Sequence, residues 1–259
     1  MRMMKKVLGT VTVLALSVSL LAGCGSTAAS PVSSAASTAA ESTTSSIVPE
    51  TTSAAADENV AAAAQLLNDL TGSYQELWPV ILADKYQQTW LDDCAALVGE
   101  ENAEAAFEKL SSMVTGDVYG EDAVEAYANG GGAYFCGFTN DLATLTFDGE
   151  TSTISGTDKD GNELFSHPYH YIGMEPVRGL YEFESDDADS GEFTYFFLAP
   201  DTSAETYHIE FRYGSDADAL SQYDAGDYAY WLASGISTDC DQTMIDNCIE
   251  LFCTENLAG

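Results

Sequence analysis

The stretch Thr206-Tyr207-His208-Ile209-Glu210-Phe211-Arg212-Tyr213 decides how the rest of this chain reads. Strict alternation puts Tyr207, Ile209, Phe211 and Tyr213 on one face and His208, Glu210 and Arg212 on the other, as in a half-buried β-strand. Segments of the same kind, rich in aromatic and β-branched residues, precede it at 133–139, 142–147, 151–155, 163–172, 179–185 and 192–198. Turn signals punctuate them at Asp148-Gly149, Asp160-Gly161 and Ser190-Gly191. Short strands at this spacing predict an antiparallel meander, either a barrel or a strongly curved sheet.

On the N-terminal side the period lengthens to that of helices. Asp57 can cap a run through Leu66, Leu67 and Leu70 that Gly72 closes. Ser73 with Glu76 reads as a capping box for a helix carrying Leu77, Trp78, Ile81 and Leu82, with Pro79 tolerated only in its first turns. Further helices are expected over 101–113 and 122–128, the latter ending in Gly130-Gly131-Gly132. After the deciding strand, Ser215 and Asp218 open a helix bearing Leu220 and Tyr223. Met244, Ile245, Cys248 and Phe252 then recur at helical spacing in an amphipathic tail. The expected fold class is α+β: a small antiparallel β-barrel with N-terminal and C-terminal helices.

The 259 residues include 8 Lys plus Arg against 42 Asp plus Glu, a formal charge of −34. Such a chain cannot present the basic surface that nucleic acid or anionic lipid requires. At 46% apolar and 11% aromatic it is nevertheless too hydrophobic for an acidic disordered chain.

Three of the cations, Arg2, Lys5 and Lys6, precede the apolar run 7–21, which leads into Leu21-Ala22-Gly23-Cys24. A basic start and a short apolar segment make an export signal over 1–23. The quartet resembles a bacterial lipobox, which implies lipidation of Cys24. Of residues 25–56, 24 are Ser, Thr or Ala, a composition that serves as a tether and not as a packed core. The expected domain is 57–259, extracytoplasmic and touching the bacterial cell membrane only through the lipid. Its five cysteines, Cys94, Cys136, Cys240, Cys248 and Cys253, allow up to two disulfides and contain no CxxC pair.

The H-x-E pair at His208 and Glu210 sets an imidazole and a carboxylate on one strand face, close enough to share a metal ion. The plain alternative is a solvent face on which Glu210 pairs with Arg212. The other two histidines, His167 and His170, lie together in Ser166-His167-Pro168-Tyr169-His170-Tyr171. A three-residue separation puts them on opposite faces of a regular strand unless Pro168 breaks the alternation. They are candidates for a further ligand, His170 ahead of His167, or else turn and hydrogen-bonding residues.

From about Leu70 to Ile236 the chain resembles the ZinT (YodA-like) family of exported zinc-binding proteins. The landmarks are Gly72-Ser73-Tyr74-Gln75-Glu76-Leu77-Trp78-Pro79, Val177-Arg178 leading into 179–184, Phe196-Phe197-Leu198-Ala199-Pro200, His208-Ile209-Glu210-Phe211 and Tyr230-Trp231. The resemblance implies a calycin-like, lipocalin-type barrel with appended helices, zinc as the bound metal, and a zinc-uptake transporter component as partner. No enzymatic activity is expected: hydrolysis at a zinc-bound water needs a positioned base, and nothing in the sequence singles one out. The family pattern places its metal histidines at positions that here are Phe196, His208 and Glu210. One histidine stays, one becomes a carboxylate, and one becomes a side chain that cannot ligate.

The run Asp158-Lys159-Asp160-Gly161-Asn162-Glu163 carries oxygen ligands, but the EF-hand spacing fails and a hairpin turn is the better reading. Asp186, Asp187 and Asp189 read as a solvated loop. No nucleophile elbow, P-loop or GxGxxG sequence is present. Two functions follow: a divalent-metal binder for sequestration or hand-off, or a calycin-type ligand-binding or docking module without a metal.

Overall fold

A computed structural model describes residues 51–200 and 208–258. The export signal, Cys24, the tether to residue 50, and residues 201–207, with Thr206 and Tyr207 of the expected strand, lie outside the described residues. In chain order the elements are α1 (Thr51–Asp69), β1 (Gly72–Glu76), α2 (Leu77–Ile81), α3 (Gln87–Val98), α4 (Ala103–Val114) and α5 (Glu121–Ala128). There follow β2 (Thr144–Asp148), β3 (Thr153–Thr157), β4 (Glu163–Met174), β5 (Tyr181–Ser185), β6 (Tyr195–Leu198) and β7 (His208–Gly214). The chain ends with α6 (Ala217–Leu220), β8 (Ala233–Ser237) and α7 (Gln242–Leu257).

The eight strands pair antiparallel with their sequence neighbours, and β1 also pairs β8, closing the barrel. Closure removes the exposed sheet edges that a meander would otherwise leave. Alternation fills the interior with aromatic rings. Phe147, Phe165, Tyr169, Phe183, Phe196, Phe211 and Tyr213 all point into one buried cluster. The cluster is tightly stacked, with ring centroids 3.9 Å apart for Phe165–Phe193 and 5.3 Å for Phe196–Tyr213. Tyr213 also meets Trp231 edge-on at 5.0 Å, the geometry its ring quadrupole prefers.

A second apolar cluster lies outside the barrel wall, where α2, α3, α4 and α7 pack together around Trp78, Ile81, Trp90, Leu110 and Ile249. It explains why β8 is missing from the strand pattern. β8 reads Ala-Ser-Gly-Ile-Ser and is buried at every position, because Ala233 faces the interior cluster while Ile236 belongs to the outer one. A strand covered on both sides carries no polar alternation to detect.

The Ser73–Glu76 segment is strand β1, not the start of a helix. Ser73 Oγ bonds Thr146 Oγ1 across to β2 at 2.8 Å, and Glu76 accepts a hydrogen bond from the Phe138 N–H at 2.6 Å. Both side chains of the expected capping box are therefore spent on other elements. The following helix α2 is one turn long, with Pro79 near its start. The expected strand over 133–139 is irregular: Phe135 bridges Thr115 and Trp231, and backbone bonds join Tyr134 to Met113 and Gly116 and Cys136 to Ser234, without a regular ladder.

A candidate metal-binding face on β7

From His208 to Tyr213, β7 follows the expected alternation. Ile209, Phe211 and Tyr213 are buried in the barrel core, which leaves His208, Glu210 and Arg212 on the outer face. His208 pairs across β8 with Ile236, and Glu210 with Ser234. Ile236 belongs to the outer cluster, so this face looks toward the helices and away from the barrel interior. His208 and Glu210 are both half-buried.

Burial first, and the Glu210 charge second, push the Cys136 and Cys248 thiols up to about 12. Those thiols come from the segment before β2 and from α7, so Glu210 lies near the seam between barrel wall and C-terminal helix. Cys136 also lines a cavity of about 350 Å³ together with Glu76, Trp78, Leu82, Val114 and Phe135. The cavity lies outside the barrel, whose own interior is occupied by rings.

Arg212 does not behave as a surface partner for Glu210. It is fully buried and donates to the carbonyl oxygens of Leu220, Gln222 and Tyr228. Its guanidinium carbon lies 4.4 Å from the Tyr223 ring centroid, and that of Arg178 lies at the same distance from the same ring. Burial lowers the Arg212 pKa from its ordinary value. This arginine ties down the 220–228 connection, a role that the strand pattern alone does not show.

The structure keeps Phe196 on the opposite side of the sheet from the β7 pair. Phe196 is fully buried in the barrel core and pairs with Tyr213, an inward residue. The three positions that the family pattern matches to metal ligands thus do not share a face in this chain.

His167 and His170 also stay apart from β7. Both lie on β4, and β5 and β6 intervene around the barrel. Alternation continues through Pro168, and the irregularity in the β4–β5 ladder falls at Tyr171/Gly173 instead. His167 therefore shares the inward parity of Phe165 and Tyr169, while His170 is on the exposed face. Each ring is held by its own carboxylate, His167 Nδ1 to Asp187 at 2.9 Å and His170 Nδ1 to Asp186 at 2.7 Å. Among the described residues, no group of three or more His, Cys, Asp or Glu side chains is arranged to hold a metal ion.

The acidic run at 158–163 is self-satisfied. The Asp158 carboxylate accepts from the Asp160 and Asn162 backbone N–H groups and from the Asn162 side chain, each at 2.8 Å. Those bonds, the side-chain bond from Asn162 foremost, lower the Asp158 pKa and close the hairpin turn.

The fold and the packing of its helices define an α+β protein with a calycin-like barrel. No family model matches the chain, and no curated protein does. Among solved structures it is similar to the Zn(II)-bound ZinT-like domain of Streptococcus pneumoniae AdcA, with a TM-score of 0.44 and 15% identity. That match covers 70% of this chain and 87% of the domain. The Zn(II)-bound AdcA of the same organism matches with a TM-score of 0.41 and 13% identity, over 71% of this chain and 34% of AdcA. At these levels neither likeness assigns a role to any residue of this chain.

Proposed function

We propose that the chain is a non-catalytic binding protein displayed outside the cytoplasmic membrane, and that its ligand is a divalent cation, zinc first. In this reading Cys24 carries the lipid, residues 25–56 are the tether, and the barrel domain presents the metal-binding face. The observation that carries the proposal is the placement of His208 and Glu210 two residues apart on one face of β7. An imidazole and a carboxylate are a fitting half of a zinc shell, with water or a partner's side chain supplying the rest. A two-ligand site holds metal less firmly than a closed structural site, which suits sequestration and hand-off to a transporter component. The acidic surface raises the local concentration of cations without selecting among them.

Calorimetric titration of the full-length chain with zinc tests this. The expected result is saturable binding near one ion per chain, lost when His208→Ala is combined with Glu210→Ala. Undiminished heat in that double variant would remove the site from β7.

A second reading, a docking or ligand-binding module without metal, draws on one specific observation. The barrel interior is closed by stacked rings around Phe196, at a position matched to a metal ligand in the family pattern. It expects no zinc heat in the unmodified chain.

A further inference from the structure

We propose that Cys94 and Cys253 form a covalent modification site, a buried dithiol that closes into a disulfide and fastens α7 to α3. Their Sγ atoms lie 3.8 Å apart, and both residues are fully buried. Cys94 sits beside Trp90 on the buried stripe of α3, and Cys253 follows Ile249 on that of α7. Both belong to the outer apolar cluster, so the helices already hold the sulfurs in contact before any bond forms. A bond requires the sulfurs to close from 3.8 Å to about 2.05 Å.

The chemistry is thiol–disulfide exchange with an external disulfide, RSSR. One protein thiolate attacks a sulfur of RSSR, forming a mixed disulfide and releasing RS⁻. The second protein thiolate attacks the protein sulfur of that mixed disulfide and releases the other RS⁻. Two protein thiols are oxidised, one RSSR is reduced, and the released thiolates take up the two protons. Burial raises the pKa of both thiols, so the folded state exchanges slowly. Closure therefore belongs to folding, or to transient opening of the C-terminal helix.

Such a bond would span a sequence separation of 159 residues and constrain most of the unfolded domain. It involves none of the groups assigned to metal binding, so its fate is independent of that reading.

The test is to refold the full-length chain in a buffer of oxidised and reduced glutathione, alkylate it in denaturant, and map the peptides by mass. The expected outcome is a linked Cys94–Cys253 peptide, with Cys136, Cys240 and Cys248 alkylated and Cys24 read separately. Reduction should lower the melting temperature by about 5–15 °C, the shift that a typical disulfide gives a domain of this size. The Cys94→Ala variant should melt at the same temperature with and without reductant. If that variant fails to fold, the two measurements on the unmodified chain still decide. Five alkylated thiols in the domain, a different linked pair, or a melting temperature indifferent to reductant would each overturn the proposal.

Discussion

Phe196 shows how much a single residue settles. Its ring lies 6.4 Å from that of Phe211 and 5.3 Å from that of Tyr213, inside the aromatic stack of the barrel core. Truncation to alanine should cost about 3–5 kcal/mol, read from denaturant midpoints, because the surrounding rings cannot collapse into the space. Phe196→His should destabilise as well, and it should leave zinc affinity unchanged, since the new imidazole would face inward while His208 and Glu210 face outward. A gain in affinity would show that the barrel wall is read with the wrong face inward. Arg212 gives the complementary case. Arg212→Met should lose at least about 2 kcal/mol, as three carbonyls lose a charged donor, and thermal denaturation will check it. The in-out order of β7 was legible from eight residues. The carboxylate clasps on His167 and His170 were not, since they depend on how the β4–β5 hairpin registers Asp186 and Asp187 against β4.

At the scale of elements, what the sequence showed and what it hid follow from burial. β4 and β7 keep one face wetter than the other and announce themselves by alternation. β8 is covered on both faces and does not, and α3 buries only the narrow pair Trp90 and Cys94, too little for a clear helical stripe. The Ser73–Glu76 signature was ambiguous because a capping box and a strand share the same four residue types, and only pairing with β2 and β8 decides between them. The C-terminal helix is capped as its sequence allows. Asp241 accepts from the Met244 N–H at 3.0 Å, and Asp241→Ala should cost about 1 kcal/mol, measured as a shift in denaturant midpoint. The β2–β3 turn carries a tighter constraint, since a Cβ on Gly149 would fall 2.4 Å from the Asn68 Cα of α1. Gly149→Ala should push α1 off the barrel and destabilise by about 1–3 kcal/mol.

For the whole molecule the governing quantity is charge. Residues 57–259 hold 5 Lys plus Arg against 40 Asp plus Glu, and the ion pairs on β4, His167–Asp187 and His170–Asp186, add no lysine or arginine to the balance. Self-repulsion is therefore largely uncompensated. Asp93 and Glu182 report it: burial and neighbouring carboxylates, Glu250 and Asp246 in the first case and Glu175 in the second, raise both pKa values. A carboxylate whose folded pKa is raised contributes stability below its unfolded pKa and loses that contribution as pH rises through the folded value. Mild acidification from pH 7 toward the carboxylate range, or added salt, should thus raise the melting temperature. Asp93→Asn should raise it at pH 7 and have little effect near pH 4. Zinc binding should move the opposite way, weakening as pH falls through the ordinary histidine range of about 6.5, because the His208 imidazole must be unprotonated to ligate.

The proposed function requires the metal to sit on β7. An anomalous difference map at the zinc edge, from crystals of the full-length chain grown with zinc, tests it most directly. The expected result is a peak about 2.0–2.2 Å from a ring nitrogen of His208 and a carboxylate oxygen of Glu210. A map with no peak there, or with its peak at His167 or His170 alone, would contradict it.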